Sequence, residues 1–183
     1  MFPFSLNLSH LHPPCPSKDL TTNTVTQLGI PTANLPVDET LTPWISDIES
    51  GVYFGYASLS PPPQSTSSSP DTTFATYPMV MSIGYNPFYK NTVRSAEVHV
   101  LHKFPSDFYG AHMRLLLLGF IRKELDYTTL EALIEDINFD CEVARNSLRR
   151  ETWAPEKGVV VEGEVDGKLD VSWLVRPLES ASS

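Results

Sequence analysis

The hydrophobic period of the chain changes once between residues 52 and 148, and that change limits the fold more than any other feature. Four short runs, Val52 to Ser58, Pro78 to Tyr85, Ser95 to Lys103 and Met113 to Phe120, are separated by turn formers and predict β-strands. From Thr128 the apolar residues recur at helical spacing instead, with Leu130, Leu133, Ile134, Ile137, Cys141, Ala144 and Leu148 on one face. Thr128 and Glu131 stand at capping-box spacing, which predicts a helix start there. The opposite face carries Glu131, Glu135, Asp136 and Glu142, which reads as a solvated helix face rather than a metal site. The pattern predicts an all-β core followed by one helix.

The flanks differ in character. Residues 1–27 are rich in Pro, Ser, Thr and Asn and are expected to be mostly irregular; Pro3, Pro13, Pro14 and Pro16 would also interrupt a signal peptide. Residues 59–72, LSPPPQSTSSSPDT, cannot bury enough apolar surface to offset their ordering entropy and are expected to form a mobile loop between neighbouring strands. In the C-terminal extension, residues 151–183, VVVEGEV and KLDVSWLV flank Asp166-Gly167, a hairpin signal. The segment between these flanks, residues 28–150, is then the body of a single domain. Its greasiest stretch, Leu115 to Ile121, is far short of the ~20 apolar residues a membrane-spanning helix needs and reads as a buried strand.

Charge and composition exclude several functions. With 183 residues and 41% hydrophobic content, the chain suits one sizeable core. Lys and Arg number 13 against 22 Asp and Glu, a net charge of −9, so no phosphate-neutralising surface for nucleic acid is expected. Any phosphate handled here must be met locally, by a metal or by backbone amides. Cys15 and Cys141 form neither a CxxC pair nor a disulfide framework, which fits a reducing compartment. The sequence has no GxxxxGK[ST] loop, no protein-kinase catalytic loop, no GxGxxG and no nucleophile elbow.

Three segments could carry chemistry. In GIPTANLP, residues 29–36, Thr32 and Asn34 share a face of an extended backbone; their oxygens suit a Mg²⁺ already bound to phosphates, though both residues equally satisfy turns. In SAEVHVLH, residues 95–102, strand alternation puts Glu97, His99 and Leu101 on one face and Ala96, Val98, Val100 and His102 on the other. Glu97 is a lone carboxylate among apolar neighbours, either a base with raised proton affinity or an outward strand glutamate. GYNPFYKNTVR, residues 84–94, is either a loop that closes over a ring or phosphate or a hairpin turn with aromatic anchors.

In order and spacing, GIPTANLP, GVYFGYAS, MVMSIGYNPFYKNT, the strand around Glu97, KFPSDFYG and LLLLGFIRKELDYTTLEALI resemble riboflavin kinase of the eukaryotic, monofunctional, fungal type, over about two thirds of the chain. The resemblance implies a six-stranded antiparallel Greek-key β-barrel with one C-terminal helix packed outside. It implies transfer of the terminal phosphate of ATP to the 5′-hydroxyl of riboflavin, giving FMN and ADP, with Mg²⁺ or Zn²⁺. By the same resemblance Thr32 and Asn34 become metal ligands, Glu97 the catalytic carboxylate, Thr32, Val100, His102 and Tyr109 nucleotide contacts, and Arg122, Leu125 and Tyr127 flavin contacts. A flavoprotein of this type is expected as a monomer in the cytoplasm or mitochondrion, without membrane or nucleic-acid partners.

The chain departs from the family pattern in two places. Lys123 stands where the family usually has proline. Before LGIPTAN the family has a strand and a GxGRGSK loop, where this chain reads TTNTVTQ, with neither glycine nor cation. The departure implies a lost phosphate cradle and an absent first strand. It implies either a non-catalytic flavin-binding barrel or an N-terminus from a mis-assigned start or splice junction upstream of Leu28.

Overall fold

The computed structural model describes residues 32–35, 42–60, 74–85, 94–104, 111–156, 160 and 166–177, together with the backbone of residues 2–7. Among these residues, six strands and two helices follow one another as β1 (Phe2–Asn7), β2 (Ala33–Asn34), α1 (Trp44–Asp47), β3 (Gly51–Leu59), β4 (Ala75–Gly84), β5 (Ser95–Val100), β6 (His112–Arg122) and α2 (Leu130–Leu148), with a 3₁₀ turn at Ser172–Val175. The strands form one sheet in the order β1-β6-β3-β4-β5-β2, and every ladder is antiparallel. The three strands β3, β4 and β5 are sequential neighbours and β6 returns to lie beside β3, which is the Greek-key connection.

Alternation along the strands sorts their side chains into two cores. On one face Ala57, Leu59, Met79, Met81, Ile83, Val98, Val100, Met113, Leu115 and Leu117 pack on one another, closed off by Leu35 and by Ile45 of α1. Four strands thus fill this face with their own side chains, as the interior of a small barrel is filled. On the other face Val52, Phe54, Tyr56, Val80, Leu116 and Leu118 meet Cys141, Ala144 and Leu148 of α2, so the helix packs outside the sheet. Ala154, Val160, Val171 and Leu174 join this second core, which makes part of the C-terminal extension integral to the fold. Where β3 crosses β6 the register shifts between Phe54 and Gly55. A Cβ on Gly55 would lie 1.9 Å from the Leu116 carbonyl oxygen, so only glycine permits this approach.

Several expectations need correction. Residues 2–7 are not irregular: β1 pairs with β6 from Phe2 opposite Leu117 to Asn7 opposite His112, so a first strand is present. Phe2, Phe4 and Leu6 alternate with Pro3, Ser5 and Asn7, and an edge strand tolerates the proline. The helix is capped by Thr129, whose hydroxyl accepts from the Ala132 N–H at 3.3 Å, rather than by Thr128. Strand β5 stops at Val100, where the His102 N–H turns back to the Val100 carbonyl at 2.8 Å. Of the expected hairpin, residues 159 and 161–165 lie outside the described residues; on the other arm Leu169 bridges Pro155 in parallel and the chain then winds into the 3₁₀ turn. Arg114 Nη1 donates to the carbonyls of Trp173, Leu174 and Arg176, and Ser58 Oγ donates to that of Leu174, which occupies acceptors a ladder would need. Of the expected 59–72 loop, Leu59 belongs to β3 and Ser60 is tied to His112; residues 61–72, like 8–27, lie outside the described residues. Among the described residues no helix is long and apolar enough to cross a membrane.

Candidate active site

The two residues of β2 dock on β5 with Ala33 opposite Val98 and Asn34 opposite Glu97, and the Leu35 N–H extends the ladder to Ala96 O at 2.8 Å. On its other side Glu97 pairs with Ser82, Ser82 with Val52, and Val52 with Arg122. Opposed residues in adjacent strands present their side chains on one face. Asn34, Glu97, Ser82, Val52 and Arg122 therefore form one row across five strands, on the face that α2 covers. At ~4.8 Å per strand the row is roughly 19 Å long. It brings together the candidates Asn34, Glu97 and Arg122, with Thr32 just before Asn34 and partly exposed.

Glu97 is only partly exposed, and burial raises its proton affinity above the ordinary carboxylate range; the nearby Glu124 carboxylate raises it further. A carboxylate in that state is a better proton acceptor than one in water. Glu124 itself is held over Gly84, with the Ser82 hydroxyl donating to Oε1 at 3.5 Å. Burial raises its proton affinity too, opposed by a hydrogen bond from the Tyr85 backbone N–H.

At the far end of the row, Arg122 grips α2. Its Nε and Nη2 donate to the two carboxylate oxygens of Asp140 at 2.9 and 2.7 Å, and Nη1 donates to Lys123 O at 3.1 Å. Burial lowers the proton affinity of the guanidinium, but Asp140 and Asp136 leave it raised overall. Five residues on, Tyr127 Oη donates to Asp136 Oδ2 at 2.7 Å. Burial first, then that bond, push the Tyr127 hydroxyl up to about 12, so it remains a donor at neutral pH. Residues 123–127 thus form a strap fastened to the helix at both ends, with Leu125 49% exposed between them.

The remaining candidates fall elsewhere. Val100 is buried in the inner core, so a ligand could meet its backbone but not its side chain. The His102 ring, past the end of β5, packs at a tilt against Tyr77 and edge-on against Phe104, with centroids 4.7 Å away in each case. Tyr109 lies outside the described residues. Sequence reasoning missed Ser82 and Glu124, and it assigned Asp136 to a solvated face. It also passed over Asp140, a polar residue on the apolar stripe between Ile137 and Ala144, which is itself the signature of a buried partner. Among the described residues no three His, Cys, Asp or Glu gather to hold a metal ion. Thr32 and Asn34 offer neutral oxygens, which suit a cation whose charge is already balanced by phosphates.

Comparison with known proteins identifies the family. The family model described as riboflavin kinase matches residues 22–148. Riboflavin kinase of Pyricularia oryzae is 61% identical over 164 residues, covering 86% of this chain and 82% of that one. The riboflavin kinase of Neurospora crassa is 49% identical over 198 residues, with 82% and 83% covered. The crystal structure of riboflavin kinase from Trypanosoma brucei superposes with a TM-score of 0.55 at 31% identity, covering 70% of this chain and 74% of that one. These relatives do not favour the non-catalytic alternative. A Greek-key sheet with an outer helix, a family model matching most of the chain and this degree of likeness together establish that the chain belongs to the riboflavin kinase family, whose enzymes phosphorylate riboflavin with ATP to give FMN.

Proposed function

We propose that phosphoryl transfer takes place along the Asn34–Glu97–Ser82–Arg122 row, with Glu97 as general base. The observation that carries this reading is the pairing of Asn34 with Glu97, which sets a neutral oxygen ligand beside a carboxylate of raised proton affinity. Glu97 takes the proton from the 5′-hydroxyl of riboflavin as that oxygen attacks the terminal phosphorus of ATP; the new O–P bond forms as the bond to ADP breaks. Phosphoryl transfer needs little covalent help, so positioning supplies most of the remainder. Thr32 and Asn34 would hold the divalent cation, Mg²⁺ or Zn²⁺, that accompanies the nucleotide and neutralises its phosphate charge. Val100 through its backbone, His102 and Tyr109 serve the nucleotide side, and Arg122, Leu125 and Tyr127 the flavin side. Residues 28–150 form the catalytic body, working as a monomer in the cytoplasm or mitochondrion.

Glu97→Gln tests the assignment, because it keeps the shape and removes the base. Turnover should fall by about 10² or more while riboflavin affinity stays within a few-fold. Near-normal turnover in that variant would remove Glu97 from the mechanism.

A further inference from the structure

Between its ring and its 5′-hydroxyl, riboflavin carries a ribityl chain with further hydroxyl groups. For the 5′-oxygen to reach Glu97 while the ring rests at the 123–127 strap, that chain must be held along the space between them. Glu124 belongs to the strap and reaches toward the base. Its carboxylate receives the Ser82 hydroxyl at 3.5 Å, and Ser82 is the ladder neighbour of Glu97. It lies so close over the backbone that a Cβ on Gly84 would sit 1.9 Å from its Oε2. The Tyr85 N–H fixes it from the same strand end.

Among the described residues, the donors reaching Glu124 do not fill its acceptor sites. A carboxylate has about four acceptor sites, of which Ser82 and Tyr85 occupy two on Glu124. Of the neighbouring cations, Arg122 hydrogen-bonds Asp140 and Arg94 donates through its terminal nitrogens to the carbonyls of Ile45, Ser46 and Ile48, so both favour the Glu124 charge from a distance but spend these hydrogen bonds elsewhere. Glu97 and Glu124 repel each other, and a neutral chain of O–H donors would fill their open acceptor sites without adding charge. We propose that Glu124 is a substrate-binding residue that accepts hydrogen bonds from the ribityl hydroxyls of riboflavin and aligns the 5′-hydroxyl on Glu97. The assignment rests on Glu97 as the base and on the strap as the flavin side.

Lumiflavin, which has the same ring with a methyl group in place of the ribityl chain, separates this role from ring binding. Riboflavin and lumiflavin affinities are measured by flavin fluorescence for the parent protein, Glu124→Ala and Gly84→Ala, each checked for cooperative melting. Glu124→Ala should weaken riboflavin about tenfold or more, as loss of a hydrogen bond to a charged group does, and leave lumiflavin within twofold. Gly84→Ala, whose methyl group displaces the carboxylate, should give the same pattern. Equal losses for both flavins, or none for either, would overturn the proposal. Should Glu124→Ala fail to melt cooperatively, Glu124→Gln and Gly84→Ala decide on the same criterion. Glu97→Gln that stays active, with the ribityl-selective loss intact in Glu124→Ala, would instead count against the base alone.

Discussion

Replacing Arg122 by alanine leaves the Asp140 carboxylate without its partner inside the protein. The Asp140 side chain is 3% exposed and that of Arg122 22%, and the two share a bidentate pair at 2.9 and 2.7 Å. Removing one member of a buried pair typically costs about 3–5 kcal/mol. The exposure on the arginine side places this site near the lower end, at about 3 kcal/mol. For a domain of this size that is a fall in Tm of about 6–12 °C. The pH dependence follows from linkage. Burial already raises the proton affinity of Asp140 above its unfolded value, and Arg122 opposes that rise. In Arg122→Ala the folded carboxyl holds its proton still more tightly, so the folded state binds more protons than the unfolded state and stability falls as pH rises through the folded pKa. The penalty should therefore be largest at neutral pH and shrink as pH is lowered into the ordinary carboxylate range. Urea denaturation of Arg122→Ala, Asp140→Leu and the double variant Arg122→Met/Asp140→Leu at neutral and acidic pH provides the measurement. The double variant should be more stable than Arg122→Ala, because it leaves no buried charge unpaired. A penalty below about 1 kcal/mol, or double-variant losses that simply add, would refute the reasoning.

Glu97→Gln should be more stable than the parent at neutral pH, since burial raises the proton affinity of Glu97 and its ionisation there opposes folding; the advantage should vanish below the unfolded carboxylate pKa, as thermal melts across pH will register. Thr32→Ala and Asn34→Ala should weaken the metal–nucleotide complex more than riboflavin, which calorimetry with each ligand resolves; a loss confined to the flavin would contradict the ligand assignment. Leu174→Ala should cost about 2–5 kcal/mol in chemical denaturation, because Leu174 is fully buried against the outer face of the sheet; a change under 1 kcal/mol would mean the C-terminal extension is not part of the core.

Strand alternation was legible wherever one face is buried: β3, β4, β5 and β6 fall within a few residues of their expected bounds, and the helical stripe located α2. Registers were not legible, because they depend on which strands become neighbours. Nothing within GIPTANLP or SAEVHVLH says that Asn34 faces Glu97 or that Ser82 separates Glu97 from Val52. Glu124 looks like a surface charge in FIRKELDY until the chain folds it over Gly84, a contact set by the absence of a Cβ forty residues earlier. Asp140 could have been found, since a carboxylate on an apolar stripe requires a partner. β1 was hidden by Pro3 and by the proline-rich residues that follow it, although Phe2, Phe4 and Leu6 keep the period of a strand.

The placement of β1 bears on how the chain can be made. Phe2 pairs with Leu117, so during synthesis β1 must wait for most of the domain to leave the ribosome before its partner exists. On the same β6, Arg114 gathers the carbonyls of Trp173, Leu174 and Arg176, which are translated later still. The middle strands β3, β4 and β5 can pair as soon as each emerges, and β2 can dock on β5, but the β1–β6 side of the sheet closes only near the end. Pairings so distant in sequence make folding slow, and they leave β1 and the edge of β3 that awaits β6 open to other nascent chains in the interval.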